Sequence, residues 1–386
     1  MTAIDVDPSG GAPMPASSDP VVRVMCVIGT RPEAIKMAPV ILALQQSVWC
    51  ECRVVSTGQH RELLDQVLQV FGIEPDLDLR VMQPDQSLSL LTSRLLPALD
   101  AAVERFAPTI VLAQGDTTSV LCAGMVSFYR RLSFGHVEAG LRTGDLGNPF
   151  PEEMNRVVTS RLARWHFAPT ESARRSLLRE GVMPAHIHVT GNTVIDALHT
   201  VVIEANARHI IARDGRRFVL VTAHRRENFG APMADICLAI RQLSLAWPDV
   251  DFVFPVHPNP NVQAVVRSTL DGLGNVRLCV SMGYLPFVAA MSQATVILTD
   301  SGGVQEEAPA LATPVLVMRS ETERPEAVDA GCARLVGSDA QVIVEETSRL
   351  LGSPEARAAM ATGISPYGDG YAAARIVEVL RREAAT

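Results

Sequence analysis

A chain of 386 residues is too long for one ordinary hydrophobic core and predicts two domains of about 150–200 residues each. The net charge of −8, from 34 Lys and Arg against 42 Asp and Glu, argues against a general nucleic-acid-binding or membrane-surface protein. No apolar run approaches the roughly 18–20 residues that span a bilayer, and the 7 cysteines form no Cys-x-x-Cys pair, so we expect reduced thiols, a cytoplasmic location and no metal.

The first half of the chain alternates short apolar runs with segments of helical spacing. Residues 1–20 are rich in Pro, Ser, Gly and Asp, and we expect them to form a disordered tail. The apolar run 21–28 then predicts a buried parallel strand, and residues 32–46 predict the helix that follows it. Further strands are predicted at 52–57, 109–113, 132–137 and 165–169. Such alternation is typical of a doubly wound parallel sheet.

A second alternating series follows a junction at 190–193. Its strands are predicted at 218–222, 251–256, 276–280, 295–299 and 314–317. Two comparable series predict an α/β fold of two Rossmann-like doubly wound domains that face each other across a cleft. The domain ranges that we predict are 21–190 for the N-terminal domain, 191–365 for the C-terminal domain, and 366–386 for a helix that packs back on the N-terminal domain.

One glycine-rich turn has the composition of an anion site. Ser301-Gly302-Gly303 follows a predicted strand and opens a helix, where glycines and free N–H groups let a phosphate approach. A simple N-cap with a tight turn is the alternative, but the neighbouring Glu307 and the later Arg324 favour a phosphate site. Glu307 itself suits a ribose, although a solvated first-turn glutamate is equally consistent.

Cations follow the first strand of each predicted domain. Arg31 and Lys36 lie at a strand-to-helix turn, and both residue types suit a diphosphate. Lys36 is the only lysine of the chain; codon bias in a GC-rich genome explains such scarcity, yet a compact ammonium also fits where a guanidinium does not. His224 faces the same cleft and suits either a phosphate contact or proton donation. No G-x-G-x-x-G fingerprint follows the first strand and no P-loop occurs, so no cofactor is expected.

Three carboxylates lie beyond strand ends or in Pro- and Gly-rich loops of the first domain. They are Asp116 in QGDTT, Glu138 in HVEAG and Glu152 in PFPEEMNR. Carboxylates that share a partly dry cleft repel one another, which separates their pKa values and supplies acid and base partners. Each one alone suits a helix cap or a surface acid, but the set favours catalysis.

Together these motifs resemble the non-hydrolysing UDP-N-acetylglucosamine 2-epimerases. The resemblance runs from Val24 to about Tyr371 and rests on eleven ordered blocks. These are GTRPEAIKMAP, TGQHRELLDQV, QGDTTS, HVEAGLRTGD, PFPEEMNR, TGNTVIDAL, TAHRREN, PVHPNPNV, YLPF, LTDSGGVQEEAP and ERPEA.

The resemblance implies a fold like that of the B-type glycosyltransferases, a homodimer, and UDP held mainly by the second domain. The diphosphate and ribose ligands that it implies are Arg31, Lys36, His224, Ser301, Gly302, Gly303, Glu307 and Arg324. Phe287 would bound the uracil pocket, although Met282-Gly283 stands before it where some relatives carry Gln-Glu. Asp116, Glu138 and Glu152 match the family's acid/base residues, with His224 beside the leaving group. An activating UDP-GlcNAc molecule would bind near Gln59, His60, Arg61 and His257.

The implied reaction is reversible epimerisation at C2 of UDP-GlcNAc to UDP-ManNAc. Because the C2 proton is not next to a carbonyl, loss of UDP to give 2-acetamidoglucal, followed by re-addition, is the expected route. Three alternatives stay open: a hydrolysing 2-epimerase, a UDP-sugar-dependent B-type glycosyltransferase, and a UDP-sugar-binding regulatory protein that has lost catalysis. Cell-envelope polymers and antibiotic aminosugars are both possible destinations of the product.

Overall fold

The structure, a computed structural model, describes residues 21–58, 61–83, 86–223, 225, 228, 230–256, 259–363 and 365–384. It contains two parallel β-sheets of seven and six strands, each flanked by helices. The predicted pair of Rossmann-like doubly wound domains is therefore confirmed. The predicted tail, residues 1–20, lies outside the described residues.

The first domain places its polar loops at one edge of its sheet. Its strands are β1 (Val22–Ile28), β2 (Cys50–Ser56), β3 (Leu77–Asp78), β4 (Ile110–Gln114), β5 (Ser133–Val137), β6 (Trp165–Ala168) and β7 (Ile187–Val189). Its helices are α1 (Arg31–Gln45), α2 (Arg61–Phe71), α3 (Leu88–Phe106), α4 (Thr118–Tyr129), α5 (Glu152–Leu162) and α6 (Glu171–Arg179). The strand order β3-β2-β1-β4-β5-β6-β7 reverses between β1 and β4, so the loops after these two strands open a crevice.

The second domain repeats this plan. Its strands are β8 (Phe218–Thr222), β9 (Asp251–Pro255), β10 (Val276–Cys279), β11 (Val296–Thr299), β12 (Val315–Val317) and β13 (Ala333–Leu335). Its helices are α7 (Thr193–Arg208), α8 (Ala231–Ala246), α9 (Pro260–Leu270), α10 (Tyr284–Gln293), α11 (Gly302–Ala310), α12 (Pro325–Asp329), α13 (Ala340–Gly352) and α14 (Pro354–Met360), and α15 (Ala372–Ala384) ends the chain. The order β10-β9-β8-β11-β12-β13 reverses between β8 and β11.

A continuous apolar cluster joins the two domains. Helix α7 packs against α1 on one side and against α10 and α11 on the other, and α15 lies against α1. Fully buried members of this cluster include Ile41 of α1, Ile195 of α7, Val288 of α10 and Ile376 of α15. The cleft between the sheets is therefore closed at its base by packed side chains. No helix in the described ranges has the length and apolar character to cross a membrane.

Candidate active site

The start of helix α1 is fixed by a buried carboxylate. Thr30 and Glu33 form a reciprocal capping box, in which the Glu33 carboxylate accepts hydrogen bonds from the N–H groups of Gly29 at 2.5 Å and Thr30 at 2.8 Å. The Thr117 hydroxyl, beyond β4, donates to the same carboxylate at 2.6 Å. Burial raises the pKa of Glu33 to about 7, although these hydrogen bonds favour its ionised form. The two crevice loops of the first domain are thus tied together, and α1 is held with Arg31 and Lys36 toward the cleft.

A cavity of about 480 Å³ lies between α1 of the first domain and the strand ends of the second. Its size and its position at the strand ends suit a nucleotide-sized ligand. Met282 also contributes to the wall. The predicted ligand residues that line this cavity are Arg31, Lys36, Phe287, Ser301, Gly303 and Glu307.

The N-terminus of α11 opens toward this cavity. Its N-cap residue Ser301 makes no side-chain capping hydrogen bond within the described part of the chain, while its N–H donates to the Thr299 hydroxyl at 2.9 Å. The first amides of the helix are thus available to an anion, with Gly302 and Gly303 allowing close approach. The Arg225 guanidinium lies 3.4 Å from the point where a Gly302 side chain would begin, which adds positive charge at this end.

Glu307 carries an unsatisfied buried oxygen at the cavity wall. Burial, helped by the neighbouring charge of Glu306, raises the pKa of Glu307 to about 7, although Lys36 and Arg31 act in the opposite direction. Its Oε2 atom is buried and has no hydrogen-bond partner among the described residues. Because buried carboxylate oxygens normally accept hydrogen bonds, this position is suited to a ligand that donates hydroxyl groups.

Glu138 is held by donors on both of its oxygens. It directly follows β5 in a left-handed conformation, with φ of 63°. Its Oε1 accepts from Lys36 Nζ at 2.5 Å and from Asn192 Nδ2 at 2.8 Å, and its Oε2 accepts from Gln114. Burial alone would raise the pKa of Glu138, but the charges of Lys36 and Arg324 and the hydrogen bonds outweigh it and hold the pKa below its usual value. The carboxylate is therefore ionised at neutral pH.

A second carboxylate, Asp116, is positioned from helix α5. Arg156 donates to Asp116 Oδ2 at 2.7 Å and also pairs with Glu153 at 3.2 Å. Glu153 is 1% exposed and accepts hydrogen bonds at 3.0 Å from the N–H groups of both Thr143 and Gly144. This chain of contacts ties the loop before α5 to Asp116.

The structure does not bring Glu152 into that arrangement. Glu152 is the first residue of α5, half-buried, and no hydrogen bond or ion pair joins its side chain to another residue in the described ranges. The neighbouring residue Glu153 makes the contacts to this loop instead. The predicted acid/base role of Glu152 therefore stays a prediction.

Arg324 is not among the described side chains that line the cavity between the domains. Its guanidinium donates to Glu306, whose carboxylate also accepts from Asn192 Nδ2 at 2.9 Å and lies 3.9 Å from Lys36 Nζ. Burial would lower the pKa of Arg324, but the carboxylates of Glu306 and Glu138 raise it. Arg324 is thus engaged in an internal ion pair, and its predicted role as a diphosphate ligand stays a prediction.

Sequence reasoning missed Asn192, Glu306, Glu153 and Arg156. Each lies inside a motif block that it singled out, but the blocks alone do not indicate which polar residues meet across the fold. Four predicted residues, Gln59, His60, His224 and His257, lie outside the described residues, and Arg61 opens α2 with a side chain that is not described. No cluster of three potential metal-ligating side chains occurs within the described ranges.

The fold and the cleft define a two-domain α/β protein with the architecture of the B-type glycosyltransferases. In agreement, the glycotransferase of kitacinnamycin superposes with a TM-score of 0.63 at 12% identity, over 95% of this chain and 100% of that one. The likeness at this identity concerns the fold alone.

The chain belongs to the UDP-N-acetylglucosamine 2-epimerase family, whose model matches residues 42–381. The UDP-N-acetylglucosamine 2-epimerase of Escherichia coli is 50% identical over 93% of this chain and 98% of its own length. A probable UDP-N-acetylglucosamine 2-epimerase of Ralstonia nicotianae is 51% identical over 93% of this chain and 98% of its own. The structure of the Neisseria meningitidis enzyme bound to UDP-GlcNAc is 47% identical, with a TM-score of 0.87 over 94% of this chain and 100% of that one.

Proposed function

We propose that this chain is a non-hydrolysing epimerase that interconverts UDP-GlcNAc and UDP-ManNAc at C2 of the sugar. Family membership supports the reaction class, and the Neisseria relative is described as bound to UDP-GlcNAc. The cavity between the domains supports a nucleotide ligand, since cations, a helix N-terminus and an unsatisfied carboxylate line it.

The position of Lys36 carries the proposal. Its side chain lines the nucleotide cavity, and its ammonium lies 2.5 Å from the Glu138 carboxylate. A group that binds the diphosphate and a group that takes a proton are therefore neighbours. Epimerisation by elimination needs this adjacency, because the bond from C1 to UDP and the C2–H bond are broken on adjacent carbon atoms.

The leaving UDP is bound by groups from both domains. Arg31 and Lys36 neutralise the diphosphate from the first domain, and the α11 amides do so from the second. Glu307 accepts the ribose hydroxyls, and Phe287 bounds the base. These positive groups stabilise the charge that develops on the β-phosphate as the bond to C1 breaks.

The reaction has two balanced steps. In the first, the electron pair of the C1–O bond leaves with UDP, and a carboxylate removes the C2 proton, so that the C–H electrons form the C1=C2 double bond of 2-acetamidoglucal. In the second, a β-phosphate oxygen of UDP adds to C1, and a carboxylic acid returns a proton to C2 on the opposite face.

Two faces need two proton carriers. Glu138 and Asp116 take these roles, with Glu152 supporting one of them. Glu138 is ionised in the resting site and is thus ready to act as a base. Asp116 approaches from the neighbouring strand end, where Arg156 holds it.

Incubation with UDP-GlcNAc in D2O, followed by NMR of the sugar, tests this function. We expect UDP-ManNAc with solvent deuterium at C2. Free sugar with UDP would identify a hydrolase instead, and turnover only with an added acceptor would identify a glycosyltransferase. UDP-ManNAc without deuterium at C2 would refute the elimination route.

We extend the proposal to a cytoplasmic homodimer that UDP-GlcNAc activates at a second site. The prediction rests on the family resemblance. Light scattering measures the assembly, and sigmoidal dependence of the rate on UDP-GlcNAc measures the activation. A monomer with hyperbolic kinetics would contradict both parts.

A further inference from the structure

Asn192 occupies the point where the chain crosses between the two domains. It follows β7 of the first sheet and caps α7, the helix that packs against both domains. Its backbone N–H donates to the carbonyl oxygen of Tyr367 at 2.6 Å, where the chain passes back toward the first domain. The side chain is only 2% exposed, so its hydrogen bonds are made in a nearly dry environment.

The side-chain amide of Asn192 is fully used, and its orientation is defined. Its Oδ1 accepts from Val194 N–H at 3.1 Å as the cap of α7. Its Nδ2 therefore points the other way, where it donates to Glu138 Oε1 at 2.8 Å and to Glu306 Oε2 at 2.9 Å. One amide thus joins a carboxylate of the first domain to a carboxylate of the second.

We propose that Asn192 is a positioning residue that holds the Glu138 carboxylate oriented and ionised for proton transfer and ties it to the nucleotide-binding domain through Glu306. The inference rests on the proposed function, in which Glu138 transfers the C2 proton. Asn192 does not line the nucleotide cavity, so it acts through Glu138 rather than on UDP.

The charged groups around Glu138 come from both domains. Lys36 contacts Glu138 from α1, and the positive charge of Arg324 acts on it from the second domain. Glu306 adds a second negative charge 3.9 Å from Lys36, and His136, on the strand that precedes Glu138, has its pKa lowered by burial to about 3 and is neutral. Two cations and two carboxylates therefore lie in a buried group, with side chains that are 2–17% exposed.

The Asn192 amide separates the two carboxylates of this group. It donates one hydrogen bond to each, and the bond to Glu138 is one of the contacts that hold the pKa of that carboxylate below its usual value. A residue without an N–H at this place would leave one oxygen of each carboxylate with one donor fewer, in a region that excludes water.

Two substitutions test the role while they retain the helix cap. Asn192→Asp is isosteric and still accepts from Val194, but it replaces the donor by a third carboxylate. Asn192→Ser retains a capping oxygen and adds no charge. The rate against pH is measured for both, with UDP-GlcNAc in D2O and NMR of deuterium at C2.

We expect the acid limb of kcat/KM to move to higher pH in both variants, and by about one unit or more in Asn192→Asp. Loss of the donor raises the pKa of Glu138, so the carboxylate becomes protonated at a higher pH than in the wild type. At pH 7 we expect kcat to fall about 10- to 100-fold. The Kd of UDP for Asn192→Ser stays at the wild-type value.

Asn275→Asp is a matched control for loss of an amide donor. Asn275 Nδ2 donates to three backbone carbonyl oxygens in the second domain, those of Ser244, Trp247 and Val250, so its role is structural. This variant should lower Tm without moving the acid limb.

Asn192 variants with the wild-type acid limb, in an enzyme that epimerises normally, would overturn the positioning role. A wild-type protein that forms no UDP-ManNAc would instead refute the proposed function. Should Asn192→Asp not fold, Asn192→Ser decides the question by itself, since it adds no buried charge.

Discussion

The buried ammonium of Lys36 contacts a carboxylate and also borders the nucleotide cavity. Its side chain is 14% exposed and lies between the Glu138 carboxylate and the nucleotide cavity. Burial would lower its pKa, but Glu138 and Glu306 outweigh this and raise it, so the group stays charged. A compact ammonium meets these neighbours without the planar fork of a guanidinium, and Lys36 is the single lysine of a chain that otherwise uses arginine.

Removal of the negative charge from Glu138 tests its proton-transfer role directly. We expect Glu138→Gln to lower kcat about 100-fold or more, because an amide cannot take the C2 proton. The measurement is the rate of deuterium entry at C2 in D2O. Asp100→Asn, which removes a carboxylate of an exposed pair with Arg130, serves as the control and should retain wild-type turnover. Near-normal exchange in Glu138→Gln would exclude Glu138 as a proton carrier.

We expect the ionised form of Glu307 to lower the free energy of unfolding of the UDP-free protein and to strengthen UDP binding. Its pKa is raised from 4.5 to about 7, so its contribution to stability is present below pH 4.5 and is lost as the pH rises to about 7. Glu307→Gln does not titrate. The difference in Tm, variant minus wild type, should therefore widen between pH 5 and pH 8, by about 1–2 °C for each kcal/mol when both domains unfold together.

The same variant should bind UDP about 10-fold or more weakly, because hydrogen bonds from the ribose to a charged acceptor are lost. Calorimetric titration measures this affinity. Glu171→Gln, an exposed first-turn glutamate of α6, should show neither effect. A pH-independent Tm difference would contradict the raised pKa, and unchanged UDP affinity would remove Glu307 from the ribose site.

At the scale of elements, helix α5 and the loop before it act as one unit. Glu153 accepts from the N–H groups of Thr143 and Gly144 and pairs with Arg156, which holds Asp116. We expect Glu153→Gln to accelerate hydrogen exchange at these two amides and to lower kcat, because Arg156 loses its buried partner. UDP affinity should stay unchanged, since none of these residues lines the nucleotide cavity.

Glu152→Gln is the matched comparison, one residue away. The Glu152 side chain makes no hydrogen bond or ion pair in the described part of the chain, so the substitution should leave amide exchange in the loop at the wild-type rate. Exchange that is equally fast in both variants would show that Glu153 does not anchor the loop.

The local pattern of the sequence predicts these elements well and their contacts poorly. Apolar runs indicate β1 and β8 closely, because buried parallel strands need continuous apolar residues. The two-residue strand β3 carries too short a pattern to be recognised. The sequence also places Asp116 and Glu138 just beyond strand ends, and both lie there in the structure, after β4 and β5.

Contacts between residues far apart in the sequence produce no periodic pattern from which they could be predicted. Asn192 meets Glu138 and Glu306 across separations of 54 and 114 residues, and only the crossing of the chain between domains brings the three together. Arg324 is predicted at the diphosphate from its charge and its motif block, and neither of these indicates its ion pair with the buried carboxylate of Glu306.

At the scale of the whole molecule, one apolar cluster runs through both domains. The cluster that includes Ile41, Ile195, Val288 and Ile376 passes from α1 through α7 to α10, and α15 closes it. Because α7 contributes to the packing of both domains, neither can lose its structure without exposing apolar surface of the other. Cooperative behaviour should follow, although domains of this size often unfold separately.

We therefore predict a single calorimetric unfolding transition for both domains. Ile376→Ala, which truncates a fully buried side chain of α15, should lower the free energy of unfolding by about 2–5 kcal/mol and accelerate hydrogen exchange in both sheets together. Glu378→Ala changes an exposed residue of the same helix and should leave exchange in both sheets unchanged. Two separate transitions, or faster exchange confined to the first sheet, would show that α15 stabilises only the domain on which it packs.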